Sequence, residues 1–137
     1  MEFLVLNREQ IEQYDTNKKH VVISICDPEA NPVEIFLNNP PEGILHLRFP
    51  DFDREWKGYK YNYLLFDKYN AKDILKFVNR YKDEIELIII NCEAGISRSA
   101  GVAGALSKIL NGDDSYFFKH YLPNMLVYRT ILEEAYK

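Results

Sequence analysis

Cysteine is scarce in this chain: Cys26 and Cys92 are the two among 137 residues, and each ends an apolar run. Two cysteines do not build a disulfide framework. With three scattered histidines they also give no zinc-ligand spacing, so neither metal nor cofactor is expected. Basic residues are outnumbered, 17 Lys and Arg against 21 Asp and Glu, for a net charge of −4. That argues against nucleic acid or an anionic membrane as the main partner. No apolar run reaches the roughly 20 residues of a membrane span. The start, MEFLVLNREQ, lacks the basic end and long apolar segment of a secretory leader. These absences lead to the expectation of a cytoplasmic protein. Low-complexity stretches, internal repeats and linkers are missing too, and no Gly-x-x-x-x-Gly-Lys-Ser/Thr string occurs, which argues against a nucleotide-binding P-loop.

What is present suits a packed domain. Hydrophobic residues make up 47% of the chain and aromatics 14%, and the length fits one domain, residues 1–137. Short apolar runs at 3–6, 20–26, 44–49 and 86–91 read as strands. The runs HVVISIC and ELIIIN have the unbroken apolar character of strands buried on both faces of a parallel sheet. Helical patterns lie between and after them. Asn7 is placed to cap the first, a second spans 70–82, a third 98–110, and two more lie near 114–121 and 124–136. The third helix is rich in Ala and Gly and ends at Asn111-Gly112. Glycine within a helix lowers its stability, so close packing against the sheet is expected. Strand and helix alternate, which gives an α/β fold: a three-layer domain with a short, mainly parallel central sheet flanked by helices.

The junction of the 86–91 strand and the 98–110 helix carries the chemistry. Ligands of open α/β sheets bind where strands end and helices begin. The string there is CEAGISRS, Cys92 to Ser99. Backbone N–H groups of Glu93, Ala94, Gly95, Ile96, Ser97 and Arg98 would curl around one centre and form an anion-binding nest. Gly95 allows the tight curl. The same field favours a thiolate at Cys92, and Arg98 adds a planar fork that suits phosphate. A cation is poorly placed at a helix start unless an anion is its neighbour.

Cys92, five residues, then Arg98 resembles the signature of cysteine-based protein phosphatases. The local pattern Cys-x-x-Gly-x-Ser-Arg-Ser is similar to that of their small dual-specificity branch. LHLRFPDFD, the 70–82 helix, the strand, the loop and the small-residue helix follow that family's order, and the tail YLPNMLVYRTIL resembles that of bacterial and phage members. The resemblance covers roughly residues 20–135.

It implies hydrolysis of a phosphomonoester, on a phosphorylated protein or a small phosphoester. Cys92 would attack phosphorus and form a phosphocysteine. Arg98 and the loop amides would bind the equatorial oxygens. Ser99 would stabilise the leaving thiolate. An upstream aspartate would protonate the leaving oxygen and then activate water. Asp51, directly after Phe-Pro, is the first choice and Asp53 the second; Asp67 reads as a helix cap and Glu55 is remote. Asn91 stands where the family has histidine, and its amide can donate and accept in its place. That departure opens an alternative, a phosphate-binding module with weak turnover. Another is the same chemistry on a non-protein phosphate ester, and sulfur transfer or arsenate reduction is a further one.

Cys26 reads as core, with a protective disulfide to Cys92 only if geometry allows. His20, His46 and His120 have no partner pattern. The aromatic, basic stretch after Lys57 reads as surface packing, or as a cleft wall in which Lys57 or Lys60 meets a second anionic group. The depth of the cleft rests on the loops 36–43 and 50–63.

Overall fold

The computed structural model describes residues 1–35 and 38–137. Phe36 and Leu37, which open one of the two loops expected to set cleft depth, lie outside the described residues. Among the described residues four strands, β1 (Glu2–Leu6), β2 (His20–Cys26), β3 (Ile44–Arg48) and β4 (Leu87–Asn91), form one sheet in the order β1-β4-β2-β3. Every pairing is parallel. The two strands read as doubly buried, β2 and β4, are the central pair, and every residue of both is buried. β3 stops one residue before Phe49, because Pro50 has no N–H to continue the ladder; Phe49 still donates to the Cys26 carbonyl at 3.3 Å.

Among the described residues, five α-helices connect and cover the sheet: α1 (Arg8–Gln13), α2 (Lys68–Tyr81), α3 (Arg98–Asn111), α4 (Ser115–His120) and α5 (Met125–Ala135). Asn7 caps α1 in a reciprocal box with Gln10. Asp67 does the same for α2 with Asn70, so that helix starts at Lys68, before the expected Asn70. Alternation along the strands splits the apolar residues into two cores. The larger joins Val21, Ile23, Ile88 and Ile90 to α2, α3, α4 and α5. The smaller joins Val22, Leu87 and Ile89 to Ile11 of α1 and to Val33. The layers are therefore α/β/α, as the patterning predicts.

α3 packs on β1 and β4 as expected, but its glycines serve a different neighbour. The helix is buried from Arg98 to Ser107. A Cβ on Gly101 would lie 2.8 Å from the Asn124 carbonyl and 3.1 Å from Val127 Cβ. The close approach at Gly101 is thus to the start of α5, not to the sheet. That contact brings the 122–124 segment up to the β4–α3 loop.

Candidate active site

β4 delivers Cys92 to the carboxyl edge of the sheet, where the thiol is 2% exposed. Two groups face its sulfur. Ser99 Oγ lies 3.0 Å from Sγ, and the Gly95 N–H donates to it at 3.3 Å. Among the described residues, the N–H groups of Ala94, Ile96, Ser97 and Arg98 donate to no protein acceptor. They are left to an anion or to solvent, as a phosphate cradle requires.

The loop is clasped from both sides. On one side it rests on the β1–α1 corner. The Cys92 N–H donates to the Leu6 carbonyl at 3.4 Å, and the Arg8 N–H to the Glu93 carbonyl at 3.2 Å. Gly95 has a φ of +67°, and a Cβ there would lie 2.7 Å from Asn7 N and 2.8 Å from Leu6 C. On the other side, Leu122 N–H donates to the Ile96 carbonyl at 3.2 Å and Asn124 N–H to the Ser97 carbonyl at 2.9 Å. Gly95→Ala is therefore expected to lower stability by about 2–4 kcal/mol, from left-handed strain and the clash together. Urea denaturation measures it.

Arg98 opens α3 and turns back under the loop. Its Nη1 donates to the Phe49 carbonyl at 2.9 Å and pairs with Asp27 Oδ1 at 2.7 Å. The Arg98 side chain is 5% exposed, and its Nε has no partner among the described residues. A fixed guanidinium with a spare buried donor can receive an anion without rearrangement.

The two acid candidates separate clearly. Asp51 Oδ1 accepts from Ser97 Oγ at 2.9 Å and from Asn124 Nδ2 at 3.1 Å. Its carboxylate thus touches the loop itself through Oδ1. Asp53 instead pairs with Arg54 at 3.0 Å, and that hydrogen bond holds its carboxyl below the usual range. A carboxylate kept ionised by an adjacent guanidinium makes a poor proton donor. Asp67 is the α2 cap, and Glu55 is exposed.

Several expectations meet different neighbours. Ser97 occupies the cap position of α3 without making a cap bond; its hydroxyl goes to Asp51. Asn91 is fully buried, and neither its Oδ1 nor its Nδ2 finds a partner among the described residues. The loop-holding role read for its amide is not made here. Cys26 is buried, and burial pushes its thiol pKa up, as in an inert core thiol. Ser24 pairs with Asn91 across β2 and β4, so alternation sends Cys26 and Cys92 to opposite faces. This geometry opposes a disulfide between them. His20 is buried with Nδ1 2.8 Å from the Lys18 carbonyl, while His46 and His120 are exposed.

Beside the loop lies a cleft of about 820 Å³ whose walls include Asp27, Glu29, Asp51, Phe52, Tyr59 and Tyr61. The aromatic stretch forms this wall and packs edge to face, Phe52 on Tyr59 at 5.0 Å and Tyr59 on Tyr61 at 5.8 Å. Lys60 lines the cleft too, but it pairs with Glu29 at 3.0 Å. A second anionic group would meet more carboxylates here than ammonium groups. Among the described residues no three His, Cys, Asp or Glu side chains converge to hold a metal ion. No described helix is long and apolar enough to cross a membrane.

Three neighbours of the loop, Asp27, Asn124 and Arg8, are not singled out by the sequence. The carboxylate at the carboxyl end of a buried strand was the available signal for Asp27. For Asn124 and Arg8 the signal is tertiary.

This architecture recurs in solved structures, although no family model and no curated protein matches the chain. Human tyrosine phosphatase-like serine/threonine/tyrosine-interacting protein aligns with a TM-score of 0.68 at 14% identity, over 98% of this chain and 91% of its own. Human DUSP28 gives 0.61 at 12% identity, over 98% and 92%. PTPMT1, in complex with PI(5)P, gives 0.57 at 15% identity, over 97% and 89%. The fold is that of the tyrosine and dual-specificity phosphatases. At these identities the likeness is one of fold.

Proposed function

We propose that this protein is a cysteine-dependent phosphomonoester hydrolase of the tyrosine or dual-specificity type. The observation that carries the reading is the convergence of Cys92, Ser99, Arg98 and Asp51 on one loop. The Cys92 thiolate attacks phosphorus, and the ester oxygen leaves with a proton from Asp51. Arg98 and the free loop amides bind the equatorial oxygens as charge shifts between the attacking and leaving atoms. Water, deprotonated by Asp51, then cleaves the phosphocysteine, and Ser99 donates to the departing thiolate. The protein is read as a single domain over 1–137, working in the cytoplasm on a phosphorylated protein or a small phosphoester.

The cleft supports an aryl ester. Phe52, Tyr59 and Tyr61 offer aromatic faces and edges. Its carboxylates disfavour a polyphosphorylated leaving group such as a phosphoinositide carrying further phosphates.

Asp51→Asn tests the acid. The expected loss in kcat for an alkyl or phenyl phosphate is about 10²–10³-fold. The alkaline fall in rate, where the acid loses its proton, should vanish from the pH profile. Asp53→Asn should leave both unchanged. The reverse pattern would move the acid to Asp53.

A second reading is a phosphate-binding module with weak turnover, favoured by the buried Asn91 amide, which has no partner among the described residues. Such a protein would bind tungstate and hydrolyse aryl phosphate weakly at best.

A further inference from the structure

We infer that Arg8 is a positioning residue of this site: it neutralises Glu93 and draws that carboxylate away from the path of the incoming phosphate dianion. The inference rests on the phosphate-site reading above.

Glu93 is the residue directly after the nucleophile, so its carboxylate is the nearest negative charge along the chain to the phosphate cradle. In this structure it faces α1, where Arg8 Nη1 meets its Oε1 at 3.1 Å. Both side chains are about one-third exposed, 30% and 32%. The pair is backed by the main-chain bond from Arg8 N–H to the Glu93 carbonyl, so backbone and side chain of Arg8 grip the same residue. The capping box at Asn7 fixes the corner from which Arg8 projects, and Gly95 presses on that corner from the loop side.

The charge balance around the pair makes Arg8 matter. A hollow at this corner is lined by Asn7, Arg8, Glu9, Glu12 and Glu93. It holds three carboxylates and one cation. Arg8 therefore serves no second phosphate, because its surroundings are acidic. Without Arg8 nothing in the hollow offsets Glu93, and a carboxylate on a flexible stem one residue from Cys92 would repel a dianion through the loop mouth.

The test uses the full chain and inorganic tungstate, with binding followed by calorimetry at low and high salt. Arg8→Ala is expected to weaken tungstate by about tenfold at low salt, with much of the loss gone at high salt. Arg8→Ala combined with Glu93→Gln should return to within about threefold of wild type, as double-mutant logic requires of a coupled pair. An equal loss in single and double variants would reduce Arg8 to a purely structural part and overturn the inference. So would an Arg8→Ala protein that binds like wild type. Should Arg8→Ala fail to fold, Arg8→Gln against Arg8→Gln/Glu93→Gln decides by the same rule. Aryl phosphate hydrolysis by wild type is read in parallel. A wild type that shows this charge coupling but no turnover sinks the hydrolase reading and leaves the role of Arg8 standing. A wild type that binds no tungstate overturns both.

Discussion

Replacing Cys92 with serine is expected to lower kcat for aryl phosphate hydrolysis by on the order of 10⁴-fold or more, with the fold intact. The two side chains are close in shape, and the site at the end of β4 is already lined by polar partners, the Ser99 hydroxyl and the Gly95 N–H. What disappears is nucleophilicity. Among the described residues no base hydrogen-bonds the atom at this position: the group at 3.0 Å is another hydroxyl, and Asp51 bonds Ser97 and Asn124, not Cys92. Tungstate binding should survive, because the amides and Arg98 are untouched. The natural control is Cys26→Ala. That thiol lies on the opposite face of the sheet, so its loss should cost stability of about 1 kcal/mol and leave kcat within about twofold. Steady-state kinetics and urea denaturation of both variants separate the two roles.

Arg98→Lys carries the next largest effect, a loss in kcat of about 10³-fold together with weaker tungstate binding. The guanidinium uses Nη1 for the Phe49 carbonyl and Asp27, and its Nε has no partner among the described residues. Lysine brings one point charge, which can satisfy Asp27 or the ligand but not both in a planar fork. Asp27 is about half exposed, so leaving it short of a partner has a modest effect on stability. The substitution should therefore separate function from folding. A variant with full activity would mean that Arg98 binds the strand ends and not the substrate.

The sequence carried the layers of this fold because its central strands are unbroken apolar runs and its helices announce their ends. Asn7, Asp67 and Gly112 stand where they cap. The string that carries Cys92, Ser97, Arg98 and Ser99 was legible because an anion cradle of this kind is a local structure, built from eight consecutive residues. Asp51 was half legible: its place after Phe-Pro ranked it above Asp53, but the distinguishing contacts come from Ser97 and Asn124, 46 and 73 residues away. The same holds for Arg8 and Glu93, 85 residues apart. Pairings across such separations leave no trace in periodicity or spacing. The packing of Gly101 was misassigned for a related reason. A small residue signals a close neighbour without saying which one, and here it is Asn124 and Val127, not a strand.

The most direct test of the account is to trap the covalent intermediate. Asp51→Asn protein, slowed in both chemical steps, is mixed with an aryl phosphate in chelator, quenched in acid, digested and sequenced by mass spectrometry. The account predicts phosphate bound to sulfur on the peptide that contains Cys92, and none in the Cys92→Ser protein. Phosphate on any other residue, or turnover by wild type that proceeds unchanged in Cys92→Ser, would contradict it.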